Sequence, residues 1–373
     1  MRSRVLGKAK LMARKPVEWA PEHVDRYDNF IFDCDGVVYR SAEAIHGVPA
    51  TIARLRQLGK QVRFITNGSA YSRAALVQKF KKMAIETQEE HVFPTSYAAA
   101  AYVSALPQSQ FDKTEHKVLI VGQAGIKEEL ALKGVNSVFV DQLVQPTVAN
   151  KVHLTIPEMC SVPLDSSVRV VVVGVDYQVT FTKLCVAIQH LLHNKQCLFV
   201  STNCVDVLTP QANSRMFPGG GSVSAFVAAA LSRPSTDLGK PNRWLMDKVV
   251  SEFKFDRSRT LMVGDRLDSD IKFGHNSGVD QLLVLSGCTS RSDLDAAVLA
   301  ANSKEQEEKD KGEDHTSASS SGCSDMNAKP SASGGESAFS RPVPTYVAKS
   351  AGWLFGDLPR SGAPPPPPHP AKL

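Results

Sequence analysis

A chain of 373 residues with 42% hydrophobic content can bury a large core, and its length suits two domains or one domain with a large insertion. The net charge of +5 gathers in the first fifteen residues, where Arg2, Arg4, Lys8, Lys10, Arg14 and Lys15 occur without an acid, and no basic module for nucleic acid appears elsewhere. No apolar run nears the ~18 residues that cross a bilayer, and the seven scattered cysteines form no CxxC pair, which excludes a membrane span, a disulfide framework and a zinc site.

After a basic lead over 1–23, NFIFD predicts a strand, VPATIARLRQLG a helix closed by Gly59, and QVRFITNGS a strand ending in a polar turn. This is a β-α-β unit, and parallel sheet follows from it. Helices over SRAALVQKFKKMAI and PTSYAAAAYVSAL complete a first unit, residues 24–108. From 109 to 234 the alternation restarts with KVLIVG, GIKEELALKG, SVFV, VRVVVVGVD, FTKLCVAIQHLLHN, CLFVSTN and FPGGGSVSAFVAAALSR, which reads as a second α/β layer. The first unit resumes over 235–301 with LGKPNRWLMDKVVSEFKF, TLMVGDRLDSD and QLLVLSG. Residues 302–341 are Ser, Glu, Lys and Gly with almost no apolar content; they cannot offset their ordering entropy, so disorder is expected. Residues 342–358 regain strand-then-helix character, and 359–373 form an extended Pro-rich tail. The terminal Ala-Lys-Leu is a near variant of the peroxisomal Ser-Lys-Leu address, so cytoplasm and a peroxisome-type organelle are both expected locations.

Asp33 and Asp35 stand one residue apart where the first strand ends. Two such carboxylates repel unless a cation sits beside them. Mg²⁺ takes oxygen ligands and commonly joins one or two carboxylates to a substrate phosphate, so the pair predicts a phosphate-handling metal site. A calcium loop fails, because Val38 and Ala44 occupy the positions where it needs Gly and Glu. Cys34, between the two acids, should point to the other face of the strand as a packing residue. Thr66, Asn67, Gly68 and Ser69 lie between a strand and a helix, an arrangement that serves equally as an anion cradle or as a simple helix cap. Lys240, in LGKPN, taken alone is most simply a surface charge. Asp265, Asp268 and Asp270 directly follow another apolar strand, and ligands of open parallel sheets bind at that carboxyl edge. The glycines of VGQAGI lack dinucleotide-loop spacing, and PGGGS at 218–222 reads as a hinge.

Taken in order, DxDGV, TN, the lysine and GDxxxxD resemble the four motifs of the haloacid dehalogenase (HAD) superfamily. FIFDCDGVVY, VVVGVDYQVTFTKL, GKP and TLMVGDRLDSDIKFG are further similar to its 4-nitrophenylphosphatase group, which includes eukaryotic phosphoglycolate and pyridoxal phosphatases. The resemblance implies a Rossmann-like three-layer α/β core with a parallel sheet. It also implies Mg²⁺-dependent hydrolysis of small phosphomonoesters through an aspartyl-phosphate. Carried over residue by residue, Asp33 is the nucleophile and Asp35 the general acid/base. Thr66, Asn67, Gly68 and Lys240 hold phosphate, Asp33, Asp35 (by its carbonyl) and Asp265 hold the metal, and Asp270 orients that set. Thr66 to Lys240 spans 174 residues against 31 from Asp35 to Thr66. The spare length matches the superfamily's larger, C2-type α/β cap inserted after the second motif. STNCVDVLTP is where pyridoxal phosphatases present a histidine; Val205, Asp206, Val207 and Leu208 stand here instead. A small phosphorylated carboxylate such as 2-phosphoglycolate is therefore the expected partner, and artificial aryl phosphates should be cleaved too. Pyridoxal phosphate, a phosphoprotein, transfer to another acceptor and a non-catalytic binding role remain as alternatives. Family members often pair through the cap, which implies a homodimer.

Overall fold

The computed structural model describes residues 15–144, 154–206, 208–210, 215–313 and 342–356. The chain enters by β1 (Val17–Glu18) and crosses a short 3-10 turn to β2 (Asn29–Phe32). A small antiparallel hairpin, β3 (Tyr39–Arg40) and β4 (Glu43–Ala44), precedes α1 (Val48–Gln57). Next come β5 (Gln61–Thr66), α2 (Arg73–Lys82), β6 (Val92–Pro94) and α3 (Thr95–Ser104). The middle of the chain supplies β7 (Lys117–Val121), α4 (Ala124–Leu132), β8 (Ser137–Phe139), α5 (Val140–Val144), α6 (Ile156–Cys160), β9 (Val168–Val173), α7 (Phe181–His193) and β10 (Leu198–Ser201). A hairpin of β11 (Leu208–Pro210) and β12 (Met216–Pro218), then α8 (Gly220–Leu231) and β13 (Thr236–Asp237), follow. The last stretch holds α9 (Trp244–Phe253), β14 (Thr260–Gly264), a single π-helical turn at Leu267–Ile271, α10 (Lys272–Asn276), β15 (Asp280–Val284), α11 (Arg291–Glu313) and β16 (Tyr346–Ala348).

Two parallel sheets result. The larger runs β1-β16-β15-β14-β2-β5-β6 and the smaller β13-β10-β9-β7-β8. Strands buried on both faces need apolar residues on both, and β2 supplies them with Phe30, Ile31 and Phe32. Phe30 and Phe32 pack into one core with Ile52, Phe64 and Phe80, while Ile31 faces a second core with Tyr97, Met246 and Phe273. That second core also takes in Val118, Ile120, Val170 and Val172 of the smaller sheet. The other face of the smaller sheet, Leu119, Val171 and Val173, packs under α7 and α8 through Leu184, Ala187 and Val227.

Chain order reverses at β2. From there β5 and β6 extend the sheet one way and β14, β15 and β16 the other, so the crevice at the carboxyl ends of β2 and β14 is a topological switch point.

Several details depart from expectation. β1 lies inside the segment read as a basic extension and pairs Val17 with Tyr346, a two-residue contact too short to carry a periodic signal. The smaller sheet includes Thr236–Asp237, just past residue 234, because Thr236 pairs with Val200. α11 continues to Glu313, well into the stretch expected to be disordered; Glu, Lys and Gln are good helix formers and extend a helix already nucleated by Leu294, Ala297 and Val298 on the core. The rest of that stretch, the Pro-rich tail and the terminal Ala-Lys-Leu lie outside the described residues. After β16 the described residues make only a 3-10 turn at Ala351–Trp353. Among the described residues no helix is long and apolar enough to cross a membrane.

Candidate active site

β2 and β14 are adjacent and in parallel register, Phe32 opposite Val263, so the residues that follow them emerge side by side. Asp33 leaves β2 with its N–H still bonded to the Val263 carbonyl (2.8 Å), and Asp265 leaves β14. Asp33, Asp265 and Asp270 are buried, and each offers a carboxylate oxygen within 4.8 Å of the others. Lys240, 2% exposed, reaches into this cluster. Its Nζ donates to Asp33 Oδ1 and to the Ile65 carbonyl (3.2 Å) and lies 2.7 Å from Asp270 Oδ1.

The π-helical turn after β14 places Asp270 so that its Oδ2 accepts the N–H groups of Asp265 and Arg266, each at 3.1 Å. Asp265 Oδ2 accepts the Cys288 N–H at 2.6 Å. Gly36 and Gly287 back that carboxylate so closely that a Cβ at either position would stand 2.5 or 1.8 Å from Oδ2. Asp265 Oδ1 is buried and, among the described residues, has no hydrogen-bond partner.

The charges follow from burial. Desolvation pushes Asp33 well above the usual carboxylate range; Lys240 opposes this, and Asp270 and Asp265 add to it. Burial and the Asp270 charge push Asp265 up to about 7, against the Cys288 N–H. Burial alone would lower Lys240, but Asp270 and Asp33 outweigh it and hold the ammonium above its usual range. Three buried acids face one lysine, so a second cation is what would let them ionise together, and the orphaned Asp265 oxygen lies among them. A small hard dication such as Mg²⁺ fits this donor set.

Asp35 stands at the open side, its side chain exposed, in a tight loop where Gly36 donates to the Tyr39 carbonyl and Val38 and Tyr39 donate to the Cys34 carbonyl. Partial desolvation raises its carboxyl, while Lys79 and a long hydrogen bond from the Tyr39 hydroxyl (3.4 Å) pull the other way. Cys34 is buried among the Phe30 and Phe32 core residues, turned from the acids as strand alternation requires.

Thr66 is buried at the end of β5, and its Oγ1 accepts the Gly68 N–H at 3.0 Å. The Asn67 amide is committed elsewhere than to an open cradle: Oδ1 accepts the Lys240 N–H (2.7 Å), and Nδ2 donates to the Lys240 carbonyl (3.2 Å) and to Asp206 Oδ2 (3.1 Å). Asn67 thus clamps the backbone of Lys240. Asp268, partly exposed, pairs with Arg266 (2.9 Å).

Sequence reasoning passed over Arg266 and Tyr39, and weighed Asp206 only as a departure from the pyridoxal phosphatase pattern. Arg266 lies inside the GDRLDSD motif, but its partner Asp206 comes from the inserted layer, and nothing local announces that meeting.

Two family descriptions match the chain: haloacid dehalogenase-like hydrolase over residues 30–136 and HAD-hydrolase-like over 237–305. The chain is 36% identical to the chloroplastic phosphoglycolate phosphatase 1A of Arabidopsis thaliana over 292 residues, covering 77% of this chain and 76% of that one. It is 35% identical to the 4-nitrophenylphosphatase of Schizosaccharomyces pombe over 288 residues, 76% of this chain and 92% of that one. Among solved structures, a p-nitrophenyl phosphatase from Archaeoglobus fulgidus superposes with a TM-score of 0.59 at 25% identity, covering 72% of this chain and 90% of that one. With the acids and lysine of three motifs gathered at one sheet edge and Thr66 of the remaining motif ending the neighbouring strand, the chain belongs to the haloacid dehalogenase-like hydrolases and is a phosphatase of that family.

Proposed function

We propose that the protein hydrolyses small phosphomonoesters by phosphoryl transfer to Asp33, with 2-phosphoglycolate as the leading substrate and aryl phosphates as artificial ones. The observation that carries this is the buried cluster of Asp33, Lys240, Asp265 and Asp270 at the switch point. An Asp33 oxygen attacks phosphorus as the ester P–O bond breaks, leaving an aspartyl-phosphate. Asp35, its carboxyl raised by desolvation, gives its proton to the departing oxygen; it then takes one from the water that cleaves the aspartyl-phosphate. Lys240 neutralises charge on the phosphoryl oxygens, and the Thr66 hydroxyl and loop N–H groups beside Asn67 and Gly68 orient them. Mg²⁺ held by Asp33, Asp265 and the Asp35 carbonyl would supply further charge neutralisation. The names of the relatives favour small metabolites over a phosphoprotein.

The reading is tested by a phosphate-release screen with Mg²⁺ over 2-phosphoglycolate, pyridoxal phosphate, p-nitrophenyl phosphate and phosphotyrosine peptides. Release from none of them would sink it. Strongest release from pyridoxal phosphate would move the substrate while leaving the chemistry.

A pH dependence follows from Asp265. In the folded, cation-free site it keeps its proton up to about 7, whereas in the unfolded chain it ionises near ~4. The folded form therefore binds more protons in that window, and its stability falls as pH rises through it. A bound cation takes the ionised form and offsets the loss. About 10 mM Mg²⁺ is expected to raise Tm by about 2–4 °C near pH ~8 and by less than about 1 °C near pH ~5.5. Equal shifts in a fluorimetric melt at both values would place the ion elsewhere.

Pairing of two copies through the inserted layer belongs to the same reading. Phe181 and Phe226 are exposed there with ring centroids 6.3 Å apart, and Met216 and Phe217 are exposed on the β11–β12 hairpin. Light scattering should give a dimer that Phe181→Glu weakens; a wild-type monomer at micromolar concentration refutes it.

A further inference from the structure

Asp206 follows β10 in the inserted layer, yet its carboxylate is spent on the core. Oδ2 accepts from the Asn67 side chain at 3.1 Å and also from Asn203. Oδ1 is buried without a hydrogen bond among the described residues and lies 3.5 Å from Arg266 Nη1 as an ion pair. Arg266 is itself gripped by Asp268, through Nε to Oδ1 at 3.1 Å and Nη2 to Oδ2 at 2.9 Å.

The backbone of Asp206 is mounted on the PGGGS turn. The Gly221 N–H donates to the Asp206 carbonyl at 3.2 Å, and a Cβ on Gly219 or Gly221 would stand 2.2 or 2.9 Å from Asp206 backbone atoms. A Cβ on Gly220 would come 3.1 Å from the Val175 nitrogen. The glycines read from sequence as a hinge thus serve as a close-packed seat, and α8 begins on them. Asn203 tightens the mount, its Oδ1 accepting the N–H groups of Val205 and Asp206 at 2.9 and 3.0 Å.

What this seat controls is the orientation of an amide. The two ends of an asparagine side chain differ only in donor and acceptor, and a carboxylate can only accept. With Asp206 fixed on one side, Nδ2 of Asn67 must face it. Oδ1 is then left to receive the Lys240 N–H, which fixes the root of the lysine whose Nζ meets Asp33 and Asp270.

We infer that Asp206 is a positioning residue for the phosphoryl site: mounted on the Gly219–Gly221 seat, it orients Asn67 and through Asn67 sets Lys240 against Asp33. The inference rests on the phosphoryl-transfer reading above and adds a contribution from the inserted layer that acts on the phosphate itself, independent of the leaving group.

The test compares Asp206→Ala and Asp206→Asn with wild type in kcat/KM for p-nitrophenyl phosphate, in kcat/KM for 2-phosphoglycolate, and in the inhibition constant of inorganic phosphate. Asp206→Ala is expected to lose at least about tenfold in kcat/KM on both substrates, and phosphate inhibition should weaken in step. Asp206→Asn keeps an acceptor oxygen for Asn67 and is expected to recover to within about threefold of wild type. Where Asp206→Ala fails to fold, Asp206→Ser, too short to reach Asn67, carries the same expectation. A melt of each variant separates lost stability from lost positioning. Asp206→Ala or Asp206→Ser within about twofold of wild type in both readouts would overturn the inference. So would Asp206→Asn as damaged as the truncation, since the hydrogen bond to Asn67 would then have no role. A wild type that releases no phosphate sinks the phosphatase reading instead, and phosphate binding by calorimetry on the same variants still decides the positioning role.

Discussion

Asp33→Asn is expected to hydrolyse p-nitrophenyl phosphate at least about 10⁴-fold more slowly than wild type at saturating substrate. The amide has the carboxylate's shape, so the β2 terminus and its N–H to the Val263 carbonyl should survive, while the nucleophile is gone. The same change removes one of three clustered buried acids while Lys240 keeps Asp270, so the melting temperature should hold or rise. Initial rates from nitrophenolate absorbance, with a melt of the same sample, check both halves. Activity within tenfold of wild type would take Asp33 out of the nucleophile's role.

Lys240→Met should damage stability and rate together. The lysine is buried against Asp33 and Asp270, and removing one member of a buried ion pair costs about 3–5 kcal/mol because its partners stay buried and uncompensated. At a few °C per kcal/mol for a domain of this size, the loss of Tm is on the order of 10 °C. The rate should fall by about 10²–10³, the cost of a missing preorganised charge at the phosphoryl group.

The sign with pH is fixed by the acids left behind. Without the lysine, Asp33 and Asp265, already held above their unfolded values, climb further, so the folded form holds protons that the unfolded chain has released. The stability deficit therefore widens as pH rises from about 5 to about 8. A deficit constant across that range would mean that Lys240 packs rather than compensates charge.

The division between what the sequence discloses and what it hides follows the range of each interaction. β2 and β14 are apolar on both faces and end in acids, a local contrast that marks Asp33 and Asp265 before any partner is known. Lys240 carries no such mark. In GKPN it looks like a surface turn, and only its match to a known motif drew it inward, because its burial depends on β5, β2 and the π-helical turn arriving around it. Asp206 and Arg266 are further from legibility still. Each looks like an ordinary charged loop residue, and their pairing exists only once the smaller sheet has packed on the larger. Asn67 was legible as a member of a phosphate loop, but its side chain turned out to hold Lys240 and Asp206, a use that depends on two other segments. The same rule explains β1, whose two residues mean nothing until Tyr346 lies beside them.

The pairing of β2 with β14 also governs how the chain can acquire its activity during synthesis. Asn29 must wait for Thr260 before the central strand gains its second neighbour. Until then β2 has only β5 beside it, and Asp33 lacks both Asp265 and Asp270. A chain made from its N-terminus thus carries an unpaired apolar strand edge through most of its translation, the condition in which nascent proteins most need protection from one another. Non-local pairing of this kind folds slowly. Products of premature termination before residue 265 would have no partial activity, because the catalytic centre is completed by one of the last strands to arrive.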